Sequence, residues 1–230
     1  MEFLQKILEL DREIFLFLNS FHTDFWDTIM LMVTRKETWL PFYLILLYYI
    51  FRNYRNKWWL VLIFLALTIT LSDQLSVLMK ETIQRLRPVH DPDIQHLAHN
   101  VLKKGGLYSF VSSHAANTFA LFVFTCRLFK NRGYCFFMFF WALLVSYSRI
   151  YTGVHYPLDI VGGALLGWII AFGCFKMMMF LEQFFFIRRR PKIETTKLKK
   201  KQMGQVLLVF LILALTVFIS TYILHRFNYL

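Results

Sequence analysis

The chain has 230 residues, 57% of them hydrophobic and 19% aromatic, and carries a net charge of +12 from 26 basic and 14 acidic side chains. That length suits one domain, and so greasy a composition excludes an ordinary soluble domain in favour of a membrane protein. The charge does not read as a nucleic-acid surface, because it collects in short loops between apolar runs, so no nucleic-acid partner is expected.

In chain order, residues 1–37 read as interfacial helices. Leu4, Ile7, Leu8 and Leu10 fall broadly on one helical face, and residues 1–13 lack the apolar core and cleavage site of a signal peptide. Thr23, ahead of Asp24-Phe25-Trp26-Asp27, has the position of an N-cap for a second short helix ending near Thr34. Six apolar runs follow, at residues 38–51, 58–78, 115–129, 134–150, 158–180 and 205–224. Each is near the ~17–25 residues of a bilayer-spanning helix, the first being short. Lipid offers the backbone no hydrogen-bond partner, so the runs predict an all-α integral membrane protein, a six-helix transmembrane bundle with an N-terminal interfacial helix. The expected divisions are interfacial helices over 1–37, a transmembrane core over 38–180, a basic linker over 181–204 and an additional spanning helix over 205–230.

Arg52, Arg55 and Lys57 lie between the first two runs, Arg127, Lys130 and Arg132 between the third and fourth, and eight Lys or Arg crowd residues 188–201 between the last two. An even number of crossings puts these loops on one face, which the positive-inside rule makes cytoplasmic, with the charges solvated and setting topology. The opposite, extracytoplasmic face carries the acid-rich N-terminal segment and the long loop 89–108. A bacterial-type inner membrane is expected. Cys126, Cys135 and Cys174 stay in or beside the helices, so no disulfide framework or zinc set is expected.

Three polar clusters sit at the outer ends of the runs: Lys80 with Arg87-Pro88, then Ser112-Ser113-His114, then Arg149 with His155 and Asp159. Taken singly, each has an ordinary reading as a snorkelling cation, a helix cap or a helix-end charge. Their coincidence on one face is what points to a phosphate-cleaving site that needs no metal. Lys80 and Arg87, seven apart, share a helical face if the second spanning helix continues until Pro88 stops it. Ser112 to His114 open the third helix, where free amides and the dipole favour an anion. Pro157 suits the first turn of the fifth, so Asp159 accepts from one nitrogen of His155 and leaves the other free to attack phosphorus. Asp73 is either a partner for a site cation or a polar contact among helices. His90, Asp91, Asp93, His96 and His99 lack a tight ligand pattern, and the loop holding them, with Lys103, Lys104, Gly105 and Gly106, reads as a lid contacting a headgroup. Gly163-x3-Gly167 permits close helix packing beside the site.

These clusters resemble the signature of the type 2 phosphatidic acid phosphatase superfamily, Lys-x6-Arg-Pro, Pro-Ser-Gly-His and Ser-Arg-x5-His-x3-Asp, over about residues 58–180. Here they read Lys80 to Pro88, Val111-Ser112-Ser113-His114, and Ser148-Arg149 to His155 and Asp159. The second motif has Val111 for proline and Ser113 for glycine. The resemblance implies His155 as a nucleophile forming a phosphohistidine, Asp159 as its orienting partner and His114 as the acid for the leaving oxygen. Lys80, Arg87, Ser112, the Ser113 amide and Arg149 would bind the phosphoryl oxygens, without a cofactor. The expected partner is a lipid phosphate or diphosphate at the outer leaflet: undecaprenyl diphosphate, phosphatidylglycerol phosphate or lipid A. The alternatives are a phosphotransferase or soluble phosphate-ester phosphatase on the same site, and a non-catalytic lipid-binding or transport protein.

Overall fold

A computed structural model describes residues 2–102, 105–185, 192–193 and 196–227. Its regular elements are helices, here α1 (Glu2–Asn19), α2 (Asp24–Thr34), α3 (Leu40–Tyr54), α4 (Trp58–Ile83), α5 (Ser113–Phe129), α6 (Arg132–Tyr151), α7 (Pro157–Phe185) and α8 (Lys200–Arg226). Side-chain caps explain several starts: Thr23 accepts from the Trp26 amide before α2, and Asn131 from the Tyr134 amide before α6. α7 begins at Pro157, whose missing N–H would have no helical partner there anyway.

All six apolar runs are helical, as α3 to α8. Four helical stretches are long and apolar enough to cross a membrane: Lys36–Ile83, which contains α3 and α4, then Arg132–Tyr151, Pro157–Phe185 and Lys200–Arg226. The first is broken at Arg55, where a φ of 32° turns the chain so that α4 packs back on α3. α5, at 17 residues, is shorter than these stretches and is surrounded by α4, α6 and α7. Its walls are therefore mostly protein.

Two expectations need correction. α4 does not continue to Pro88: it ends at Ile83, and Gln84 adopts the left-handed conformation, φ 52°. Arg87 then lies in extended backbone, held by pairing with the returning loop, its N–H on the Leu107 carbonyl and the Ser109 N–H on the Arg85 carbonyl. Lys57 is not a solvated charge either. It is buried and paired with Glu182 of α7 at 2.6 Å, so it ties two helix ends together. Lys103, Lys104 and part of the basic linker (186–191, 194–195) lie outside the described residues.

The main apolar cluster runs through α2 to α8, with the Trp141 ring in contact with both Trp39 and Phe42, and a smaller cluster gathers Phe15, Ile94, Ile150 and Tyr156. α8 docks on α2 and α3 with polar as well as apolar contacts. The Tyr49 hydroxyl donates to Gln205, and Asn53 and Gln202 exchange side-chain amide bonds at 2.9 and 3.3 Å.

The feature that builds the site is the approach of α7 to α5. A Cβ on Gly163 would lie 2.5 Å from the Ser112 carbonyl oxygen, and one on Gly167 2.1 Å from that of Ala116. Neither position has room for a side chain, and this contact brings the start of α5 against the start of α7.

Candidate active site

At that junction the Ser112 amide donates to the Asp159 carbonyl at 3.0 Å, while the Ser112 hydroxyl caps α5 by accepting from the Ala115 amide. The second and third clusters are thus tied by backbone and do not depend on flexible side chains. His155 sits in the short connection from α6 to α7, and its Nδ1 is 3.4 Å from Asp159 Oδ2. That is a close approach without a formed hydrogen bond. The other ring nitrogen, Nε2, faces away from the carboxylate.

Three cations surround the ring. Arg149, in the last turn of α6, is buried and donates from Nη1 to the Thr34 hydroxyl at 2.6 Å, while its Nε is buried without a partner. Arg87 donates from Nε to the Tyr108 carbonyl at 3.0 Å. Lys80 reaches across from α4, with Nζ 2.6 Å from the Ser113 hydroxyl, which also accepts from Ser76 at 2.6 Å. All three lie within electrostatic reach of His155. Burial, and then Arg149, Arg87 and Lys80, hold the His155 pKa well below the ordinary value, so its ring is neutral and its lone pair available. His114, on the first turn of α5, lies in the field of Arg149, His155 and Lys80, with the Thr34 main chain beside its ring.

The eight expected residues therefore come together, with one difference in detail. Ser113, expected to contribute its amide, directs its hydroxyl at Lys80, so the residue in the glycine position of the motif holds a cation in place. Asp73 accepts from the Asn117 amide of α5 at 3.2 Å, a polar contact between helices. The acids and histidines of loop 89–108 are dispersed: Asp91 takes Arg12 and the Tyr156 hydroxyl, His99 faces Asp27, and His90 the Gly105 carbonyl. Among the described residues, no three such side chains converge as metal ligands do.

Sequence reasoning passed over Arg85 and Asp11. Arg85 donates to Asp159 at 3.1 Å and to Asp11 of α1 at 2.7 Å. Asp11 lies one turn from Ile7 and from Phe15, and a carboxylate on the apolar face of an amphipathic helix is a signal that it has a buried partner.

A buried histidine between a carboxylate and three cations, at the end of a helical membrane bundle, suits a membrane phosphatase. The sequence matches the PAP2 superfamily over residues 61–183, and the chain belongs to that superfamily and is a membrane lipid phosphatase of its class. It is 35% identical over 184 residues to the lipid A 4'-phosphatase of Bacteroides thetaiotaomicron, covering 76% of this chain and 81% of that one. It is 31% identical over 93 residues to the undecaprenyl-diphosphatase BcrC of Bacillus subtilis, covering 40% and 47% of the two chains. The crystal structure of Aquifex aeolicus LpxE superposes with a TM-score of 0.59 at 25% identity, over 73% of this chain and 95% of that one.

Proposed function

We propose that the chain hydrolyses the 4'-phosphate of a lipid A-type molecule at the extracytoplasmic leaflet through a phosphohistidine on His155. The observation that carries this reading is the buried His155, set between Asp159 and three cations. The similarity to a lipid A 4'-phosphatase over four-fifths of that protein's length favours this substrate over undecaprenyl diphosphate, whose named relative covers under half of the chain.

In the first half-reaction Lys80, Arg87, Arg149 and the Ser112 end of α5 hold the phosphoryl oxygens. His155 Nε2 forms the P–N bond while the P–O bond to the lipid breaks, and His114 gives its proton to the departing oxygen. In the second, His114 takes a proton from water as that water attacks phosphorus, and the P–N bond breaks to release phosphate and neutral His155. Asp159 stabilises the cationic phosphohistidine and keeps the ring oriented.

In this reading α3 to α8 cross the membrane six times, and α1 and α2 lie along its outer surface. Supporting this, the exposed Arg52 and Arg55, with Arg127, fall at the end of the bundle remote from His155, as the positive-inside rule asks of a cytoplasmic face.

The test uses protein purified in detergent and supplied separately with bis-phosphorylated lipid A, undecaprenyl diphosphate and phosphatidylglycerol phosphate. The expected result is phosphate release fastest from lipid A at the 4' position, with acid-labile phosphate trapped on the wild type and none on His155→Ala. Acid-stable phosphate on serine, or turnover by His155→Ala, would refute the site. Preference for another lipid would refute the substrate.

A further inference from the structure

Asp159 is a shared carboxylate. Its Oδ2 accepts from the Tyr156 amide at 2.8 Å and faces His155 Nδ1 at 3.4 Å, whereas its Oδ1 accepts from Arg85 Nη1 at 3.1 Å. Arg85 turns its other terminal nitrogen to Asp11 Oδ2 at 2.7 Å, and Asp11 Oδ1 accepts from the Leu158 amide at 2.9 Å, in the first turn of α7. The side chains of Asp11, Arg85 and Asp159 are 2%, 17% and 0% exposed, so water screens this bridge little. The guanidinium also lies 3.9 Å over the Tyr156 ring, whose edge contacts Phe15 of α1 and whose hydroxyl donates to Asp91, the partner of Arg12. Eight residues on, Asn19 of α1 donates to the Ile150 and Tyr151 carbonyls, the other end of the connection that carries His155. The N-terminal helix therefore clasps the His155 connection at both ends, with a buried ion triad at one of them.

We propose that Arg85 and Asp11 are positioning residues for hydrolysis, and that α1, through the Asp11–Arg85–Asp159 bridge, sets how far the Asp159 carboxylate is available to His155. This rests on His155 as the nucleophile.

Asp11 and Asp159 compete for one fork of donors. With Asp11 present, Arg85 divides its two terminal nitrogens between two carboxylates. With Asp11 neutralised, the fork turns both donors to Asp159, the bidentate arrangement an arginine prefers, and draws that carboxylate off the imidazole. With Arg85 neutralised, Asp159 loses its competing cation, and the anion beside His155 is stronger. The two variants thus push the histidine in opposite directions. The other charged groups facing the ring, Lys80 from α4, Arg87 from the loop, Arg149 from α6 and His114 from α5, are the same in both variants.

The sign follows from the bound state. Only neutral His155 attacks, so its protonation produces an acidic limb in kcat, where the substrate dianion offsets the three cations. Asp11→Asn weakens the hold of Asp159 on the imidazolium and moves that limb to lower pH. Arg85→Gln strengthens it and moves the limb to higher pH. Both lower kcat by about 10²-fold, the loss expected when a reacting group is misplaced by about 1 Å. KM changes little, because the groups that hold the phosphate are untouched. Arg85→Lys restores the charge without the fork, so the limb returns toward the wild-type pH while kcat stays low.

The experiment measures kcat against pH for wild type, Asp11→Asn, Arg85→Gln and Arg85→Lys on one lipid phosphate, so that the substrate's own titration is common to all. Phosphohistidine trapping on wild type and His155→Ala runs beside it. Opposite shifts of the limb with KM preserved support the proposal. Shifts in the same direction, no shift, or a loss confined to KM overturn it while leaving the site assignment standing. Phosphohistidine formed by His155→Ala overturns the site assignment, and this proposal with it. Asn at position 11 keeps the shape of Asp and an acceptor for the Leu158 amide. If that variant still fails to fold, the Arg85→Gln and Arg85→Lys pair decides alone, because only a charge effect separates their limbs.

Discussion

Replacing Gly167 with alanine tests whether the contact between α5 and α7 positions the site. The added Cβ would lie 2.1 Å from the Ala116 carbonyl oxygen and 2.9 Å from the Ala120 nitrogen, whereas real Cβ contacts essentially never fall below 3.0 Å. Both obstacles are backbone, so no side chain can swing away. The helices must part by roughly 0.9 Å, the difference between 2.1 and 3.0 Å. Such overpacking costs about 1–3 kcal/mol of stability. Its effect on rate is larger than the stability loss suggests, because Ser112 and Asp159 are joined across the same two helices by a 3.0 Å backbone bond and move with them. A misplacement near 1 Å lowers kcat/KM by about 10²-fold. Gly173→Ala, on the same helix with nothing within 4 Å of the new Cβ, is the control and should be neutral or slightly stabilising. Phosphate release and thermal unfolding in detergent read both effects. Wild-type kcat/KM and melting temperature in Gly167→Ala would refute the reasoning.

His114→Ala should lose far more activity on an alkyl lipid phosphate than on p-nitrophenyl phosphate, whose leaving oxygen needs no proton, and should give a burst of nitrophenolate before slow turnover; equal loss without a burst would place the acid elsewhere. Lys57→Ala or Glu182→Ala, each stranding one charge of a buried pair at 2.6 Å, should destabilise by about 3–5 kcal/mol, and Lys57→Met with Glu182→Leu by less; unfolding in detergent decides, and equal losses would contradict a buried ion pair. Since Arg149 is among the charges that keep the free-enzyme His155 pKa below its ordinary value, Arg149→Gln should raise that pKa and move the acidic limb of kcat/KM to higher pH; a limb that stays or falls rejects the electrostatic account. A cysteine replacing Asn100 should react with a membrane-impermeant thiol reagent in spheroplasts, and one replacing Lys200 should not. The reverse pattern would put the site in the cytoplasm.

Much of this arrangement was legible because its signals are local. The apolar runs are each one helix long, Thr23 and Ser112 cap where their hydroxyls predict, and Pro157 opens α7 beside His155. What escaped notice is carried by contacts across long stretches of chain. Arg85 looked like one more basic residue near a helix end, and nothing adjacent to it reveals partners 74 residues away on either side. The end of α4 was misplaced for a related reason. Seven-residue spacing is consistent with one helical face, but the left-handed Gln84 that ends the helix has no glycine to announce it, and the pairing that captures Arg87 comes from residues 107–109. The Ser113 hydroxyl could not be read either, since the motif puts glycine there and only the fold shows Lys80 within its reach.

The superfamily match stops at residue 183, yet the side chains do not respect that border. Gln202 and Gln205, near the start of α8, bond to Asn53 and Tyr49 on the first of the long apolar helices. A chain cut before α8 would leave Tyr49 and Asn53 of α3 without these partners, in a setting where nothing replaces a lost amide bond. Glu182, at the edge of the match, accepts both from Lys57 before it and from the Ile193 amide beyond it. The unit that is inherited is thus smaller than the unit that must fold, and a minimal version of this enzyme has to include its final helix.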